Sequence, residues 1–350
     1  MQKLKQTLEQ IGDLDQNAMK KCQEKLDNLT KPPGSLGMLE ELAVKLAGIS
    51  GNPEPVLKTK TVVVMAGDHG VVTEGVSAFP QEVTPQMVMN FLNQGAAINV
   101  LCNHAGARVL VVDVGINAKL EHPGLISRKV MMGTENIAAG PAMSRDQAVQ
   151  ALEVGIEIAG EEVARGASIL GTGEMGIGNT TPSSAILAAC NGLPLNTLVG
   201  RGTGIQDDAL ANKIRVITHA LEINQPDAGD GIDLVAKVGG LEIAAMAGLI
   251  LGAAASNIPV IIDGFISSAA ALVASRISPA CVQYMIASHA SVEPGHQHAL
   301  KLLGLKPMLH MNMRLGEGTG AALALNIVEA STKILREMAT FSDAGVSKGS

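Results

Sequence analysis

Two glycine-rich segments hold most of the chemistry this chain can be asked to do. In Arg314-Leu315-Gly316-Glu317-Gly318-Thr319-Gly320-Ala321 one carboxylate stands between glycines. Leu323, Ile327, Ala330 and Ile334 then recur at helical spacing, with Thr319 placed to cap that helix. Glycine neighbours leave little bulk around Glu317, so a reacting molecule can approach closely and meet a proton acceptor. Taken alone, the segment is equally a turn with an exposed acid.

The second segment is Gly171-Thr172-Gly173-Glu174-Met175-Gly176-Ile177-Gly178-Asn179-Thr180-Thr181-Pro182. It follows Ser168-Ile169-Leu170, which reads as a buried strand. Pro182 suits the first position of a helix and Thr181 its cap. Strand, glycine loop and helix start make an anion cradle, because unpaired N–H groups and the helix dipole both favour negative charge. Gly171, Gly173 and Gly176 fit G-x-G-x-x-G, a weak signal by itself. No Gly-Lys-Ser/Thr follows, which disfavours a nucleoside triphosphate and leaves a phosphate monoester, as in a mononucleotide. A tight turn without ligand remains open. A third turn, Gly200-Arg201-Gly202-Thr203-Gly204, precedes Asp207-Asp208 and a helix carrying Lys213. It could add backbone donors and a cation to the same phosphate, although a lysine on a helix is commonly solvated.

These groups need a frame, and the apolar runs supply one. Thr61–Ala66, Val109–Val112, Pro259–Ile262 and Val282–Ile286 are continuous runs, and they lead to Asp68, Asp113, Asp263 and Ser288-His289 respectively. Such runs alternating with helices predict an α/β fold with a parallel sheet covered on both faces. Ligands in such sheets bind beyond the carboxyl ends of the strands. Residues 3–30 are expected to be helical, as are those carrying Leu39, Leu42, Leu46 and Ile49, with Lys31-Pro32-Pro33-Gly34-Ser35 between them. Residues 243–255 read as a buried core helix, too short to cross a bilayer. The polar tail from Ser342 is expected to fray.

Composition narrows the partners. The chain has 350 residues, 47% of them hydrophobic, but no Trp, one Tyr and four Phe, so the core is aliphatic and Met-rich. Few aromatics and a net charge of −7 argue against nucleic acid and anionic membranes. Cys22, Cys102, Cys190 and Cys281 are scattered, suggesting neither a zinc site nor a disulfide framework, and a reducing cytoplasm is expected. Asp68-His69, Asp113 and His296-Gln297-His298 lack metal-ligand spacing, the histidine pair reading as surface polarity, and no metal is expected. No Gly-x-Ser-x-Gly elbow is present.

With these residues in view, the chain resembles the nicotinate-nucleotide–dimethylbenzimidazole phosphoribosyltransferases over nearly its whole length. The resemblance rests on Lys31-Pro32-Pro33-Gly34-Ser35-Leu36-Gly37, Asp68-His69-Gly70-Val71, Asp113-Val114-Gly115-Ile116, Gly178-Asn179-Thr180-Thr181-Pro182, Asp263-Gly264-Phe265 and Arg314-Leu315-Gly316-Glu317-Gly318. It implies a Rossmann-like domain over residues 58–305, with residues 1–57 and 306–350 forming a small helical domain. It implies a homodimer, no cofactor, and phosphoribosyl transfer from nicotinate mononucleotide to a benzimidazole-type base in cobalamin nucleotide-loop assembly. It also implies roles. Glu317 would be the general base. Glu174 and the loop Gly176, Ile177, Gly178, Asn179, Thr180 would surround the mononucleotide, with Gly202, Gly204 and Lys213 near its phosphate. Asp263 and Ser291 would meet the ribose, and Gln86, Met87, Met175 and Leu315 the base. Ser77-Ala78-Phe79-Pro80-Gln81 departs from members with a small polar residue near Phe79, which leaves the accepted base open.

The chemistry is consistent with that family. The leaving ring carries a positive nitrogen and departs without proton donation, and no diphosphate leaves that would need a divalent cation. Glu317 would be raised in pKa by burial and lowered by the adjacent helix start, with no way to rank the two from sequence. A mononucleotide-binding sensor and a nucleotide hydrolase using water are the competing classes.

Overall fold

Six runs of extended chain build one sheet, and the chain's chemistry collects at one edge of it. The computed structural model describes residues 2–202 and 204–347. Its strands are β1 Thr59–Gly67, β2 Arg108–Gly115, β3 Leu125–Ser127, β4 Ala167–Met175, β5 Val260–Ile262 and β6 Met285–Ala287. They lie in the order β3-β2-β1-β4-β5-β6, every adjacent pair parallel. The order reverses between β1 and β4, so the connections leave in opposite directions and a crevice opens beyond the strand ends.

The alternation of side chains on β1 explains the two cores. Val63 and Met65 join one apolar cluster, with helices Arg145–Ala164 and Leu241–Ala255; Val62, Val64 and Ala66 join another, with Val83–Leu92, Ala97–His104 and Thr319–Glu337. Successive residues of a strand point to opposite faces, so a sheet buried on both sides needs apolar residues throughout. Helix Leu241–Ala255 is the core helix expected: Leu241 to Ala254 are all buried. Among the described residues no helix is long and apolar enough to cross a membrane.

The amino-terminal stretch is two helices rather than one, Gln2–Gln10 and Gln16–Asn28. Asp15 breaks it by accepting the Ala18 N–H at 2.9 Å, a cap that competes with continuing the helix. Ala18, Cys22, Leu26 and Leu29 then pack on Ala43 and Ala47 of helix Met38–Ser50 and on Leu335 near the other chain end.

Other boundaries differ from expectation for local reasons. Strand β4 runs on through Gly171 to Met175, because β1 continues to pair with it as far as Ala66–Met175. Helix Thr180–Asn191 starts two residues early, with Asn179 at the cap position and Pro182 third. Thr319 is the first residue of its helix, not the cap; its Oγ1 donates back to the Gly316 carbonyl at 2.8 Å. Val282 to Tyr284 lie in a 3-10 turn, and β3 is a strand that no apolar run signals. Residues 341–345 form a hydrogen-bonded turn rather than fraying, with Val346 N–H on the Phe341 carbonyl at 3.1 Å; 348–350 lie outside the described residues.

Candidate active site

A cavity of about 440 Å³ opens beyond the carboxyl ends of β4, β5 and β6. The two glycine-rich segments meet there. A side chain on Gly173 would put its Cβ 2.5 Å from the Glu317 carbonyl, so the bare strand lets the second segment lie against it. Gly316, Glu317 and Gly318 all have left-handed φ, at 85°, 63° and 95°. For Glu317 this costs about 1–3 kcal/mol, a strain that surrounding contacts must hold. Two carboxylates hold it. Glu317 N–H donates to Glu174 Oε1 at 3.4 Å, Gly318 N–H to Asp263 Oδ2 at 3.2 Å and Ala321 N–H to Asp263 Oδ1 at 2.9 Å.

The turn aims Glu317 at the cavity while leaving it only 6% exposed. Burial raises its pKa, and the Ile98 N–H, at 3.3 Å from Oε2, works in the opposite direction but loses. The helix start that touches it is therefore Ala97–His104, not its own helix Thr319–Glu337. Glu174 is pushed up to about 8 by burial and then by the charges of Asp263 and Glu242. This happens although Asn179 Nδ2 donates to its Oε2. Asp263 is lifted to about 7 by burial, against several backbone N–H groups.

The far end of the cavity is built on the start of helix Thr180–Asn191. Ile177 N–H is tied to Thr84 Oγ1 at 3.0 Å. Lys213 is not solvated: it is completely buried, and its Nζ donates to Thr180 Oγ1 at 2.6 Å. Burial lowers its pKa to about 8, and Glu293 acts to raise it. Arg314 Nη1 donates to the Gly202 carbonyl at 3.1 Å, joining the third glycine turn to the Glu317 segment. Thr203 of that turn lies outside the described residues.

Of the sequence-derived set, Glu174, Met175, Gly176, Ile177, Asn179, Thr180, Gly202, Asp263, Ser291, Met87, Leu315 and Glu317 line the cavity. Gly178, Gly204, Lys213 and Gln86 do not. Lys213 stands behind Thr180, and Gly178 packs towards Val72. Gln86 is exposed on helix Val83–Leu92, since one residue along a helix turns a side chain about 100° away from Met87. Phe79, which the sequence ties to the choice of base, lines the cavity too, and so do Val83, His289 and Glu293, to which the sequence assigns no role there. His289 was recoverable, being one of the residues noted at the end of an apolar run.

The residues once weighed for metal have other occupations. His69 Nε2 pairs with Glu242 Oε1 at 2.7 Å, both fully buried; burial disfavours the charged imidazole, yet Glu242 outweighs it and raises the pKa. Asp113 accepts the Ile116 N–H at 2.9 Å and pairs with Lys129. His296 is not at the surface but 0% exposed, with Nδ1 accepting the Ser291 N–H at 2.8 Å, and burial holds its pKa down at about 3. Among the described residues no group of three or more His, Cys, Asp or Glu is placed to hold a metal ion.

A helix start for an anion, carboxyl groups in the middle and apolar side chains at the mouth suit the handling of a phosphorylated sugar joined to a flat ring. Residues 11–346 match the protein family described as Phosphoribosyltransferase, which fixes the class. The relatives narrow it. A nicotinate-nucleotide–dimethylbenzimidazole phosphoribosyltransferase of Desulforamulus reducens is 58% identical over 348 residues, covering 99% of each chain. One from Geobacter sulfurreducens is 57% identical over 347 residues, again 99% of each. The crystal structure of such an enzyme from Thermus thermophilus superposes with a TM-score of 0.91 at 46% identity, covering 96% of this chain and 100% of that one. The chain belongs to the nicotinate-nucleotide–dimethylbenzimidazole phosphoribosyltransferase family.

Proposed function

We propose that this protein transfers the phosphoribosyl group of nicotinate mononucleotide to 5,6-dimethylbenzimidazole or a related base, giving α-ribazole 5′-phosphate and nicotinate. The observation that carries the reading is the strained, buried Glu317 lining one cavity with Thr180 at a helix start and with the apolar Met87 and Met175. The phosphate docks at Gly176, Ile177, Asn179, Thr180 and Gly202, with Lys213 supplying charge from behind Thr180. The ribose lies along Glu174, Asp263 and Ser291. Asp263 already spends both oxygens on the Gly318 and Ala321 amides, so its main work is to fix the turn that presents Glu317. The base rests on Met87, Met175 and Leu315, with Phe79 and Val83 beside them.

In the reaction Glu317 accepts the azole N–H proton as the other ring nitrogen attacks the anomeric carbon. The glycosidic bond breaks on the opposite face, its electron pair neutralising the pyridinium nitrogen, so β becomes α. The nearby carboxyls stabilise positive charge developing on the sugar. A raised pKa makes the ionised Glu317 a stronger proton acceptor.

The reading extends to a small helical domain made from residues 1–57 and 306–350 beside an α/β domain of residues 58–305, supported by the separate Ala18–Leu335 cluster. It also extends to a homodimer, supported by the exposed apolar Val292, Met311 and Leu315, and to a cytoplasmic setting, supported by free thiols at Cys22, Cys102, Cys190 and Cys281. The test is direct. Protein incubated with both substrates should release nicotinate and form a product with the mass of α-ribazole phosphate. Nicotinate release without any added base would instead mark a hydrolase, and binding without release a sensor.

A further inference from the structure

The end of the cavity suited to an anion already holds a carboxylate. Glu293 immediately precedes helix Pro294–Leu303, is 8% exposed and lines the cavity with Thr180, Gly202 and Ser291. Its backbone N–H donates to Ser291 Oγ at 3.3 Å, but its side chain does not cap its own helix. The carboxylate turns onto the third glycine turn instead, so close that a Cβ on Gly200 would overlap Oε2. Oε2 is buried there without a hydrogen-bond partner. An unpaired buried oxygen of this kind is destabilising, and a ligand able to pair with it would recover that loss.

The surrounding charges are few. Burial raises the pKa of Glu293, while Lys213, the Gly202 N–H and Arg314 act to lower it. The remaining titratable groups around it are His296 on its own helix, His289 after β6, and Glu174, Asp263 and Glu317 across the cavity. Both imidazoles are kept neutral by burial. Lys213 is thus the one fully buried cation beside Glu293 among these groups, and when both are ionised their charges balance. A phosphate dianion arriving at Thr180 and Gly202 would overload that balance.

We propose that Glu293 matches charge at the phosphate subsite and makes mononucleotide binding proton-linked. As the dianion settles against Thr180, Gly202 and Lys213, the Glu293 carboxylate takes one proton from solvent. The neutral acid then donates a hydrogen bond from Oε2 to a phosphate oxygen, giving the stranded atom a partner. The inference rests on the proposed substrate, but only on its phosphate.

Calorimetry in two buffers of different protonation enthalpy tests it, at about pH 7.5, above the second phosphate pKa of about 6. Nicotinate mononucleotide should bind with net proton uptake and nicotinate riboside, which lacks the phosphate, without it. In the wild type the mononucleotide Kd should rise with pH, approaching about tenfold per unit. Glu293→Gln, whose amide donates at any pH, should lose the uptake and flatten the KM profile, while the kcat profile keeps its acid limb. Equal uptake with both ligands overturns the inference, and that comparison needs no variant. Uptake that survives in Glu293→Gln also overturns it and moves the proton to Lys213. If neither ligand binds, the functional reading falls as well.

Discussion

The two ends of the cavity are built on different principles. The end proposed for the phosphate is assembled mainly from backbone, with a helix start, glycines and a wholly buried lysine behind it. The base end is assembled from side chains, and two of them, Phe79 and Leu315, are 50% and 58% exposed. Backbone amides recognise one chemical group in one place, whereas partly exposed apolar side chains accept any flat ring of suitable size. The strict end should therefore set which sugar phosphate is used, and the permissive end should tolerate several bases. Glu317 stands at the border and serves both.

The comparison can be broken first at that border. Glu317→Gln should cut kcat by about 10²- to 10⁴-fold while mononucleotide affinity stays near wild type, measured by turnover and calorimetry. Equal losses in both would make Glu317 a positioning group instead. Next comes the strict end. Gly178 has φ 90° and a Cβ there would meet Val72 Cγ2 at 2.6 Å, so Gly178→Val must displace the loop. A displacement of about 1 Å is enough to cost roughly 10²-fold, which should appear in mononucleotide binding. Lys213→Met should weaken the mononucleotide by about 1.5–3 kcal/mol, roughly 10- to 150-fold, without changing KM for the base.

A smaller effect follows from pH. Glu317 works only when ionised, and its pKa is raised, so kcat should fall as pH drops through that raised value, by at most about tenfold per unit. The acid limb should therefore lie above the ordinary glutamate range of about 4.3, and a limb within that range would contradict burial as the dominant influence. Smallest of all, Leu315→Ala should raise KM for the base only about two- to fivefold, because much of the side chain is already in water. A larger loss would mean that the mouth is less permissive than its exposure suggests.

Much of this site was legible in the chain because it depends on local rules. Continuous β-branched runs announced β1, β2 and β5, and glycines flanking Glu174 and Glu317 marked both segments as places of close approach for a ligand, although part of that space serves the packing of one segment on the other. What stayed hidden depends on partners far away in sequence. Nothing near Glu317 reveals that Ile98 would donate to it, nor does the helix around Lys213 reveal that Thr180 would bury it. The extension of β4 from Gly171 to Met175, across two glycines, is likewise set by pairing with β1, which overrides the weak strand propensity of glycine. Asp15 carries a local signal as well: an aspartate before a second helical stripe is a cap.

The segment that carries Glu317 follows the glycine cradle in chain order and is synthesised after it. By then β1, β4 and β5 and the glycine cradle have all been made, but Asp263 has yet to receive the Gly318 and Ala321 amides it will hold. A nascent chain halted before residue 314 would carry the cradle without Glu317. The cavity is thus completed only when helix Thr319–Glu337 and the turn before it pack onto the sheet.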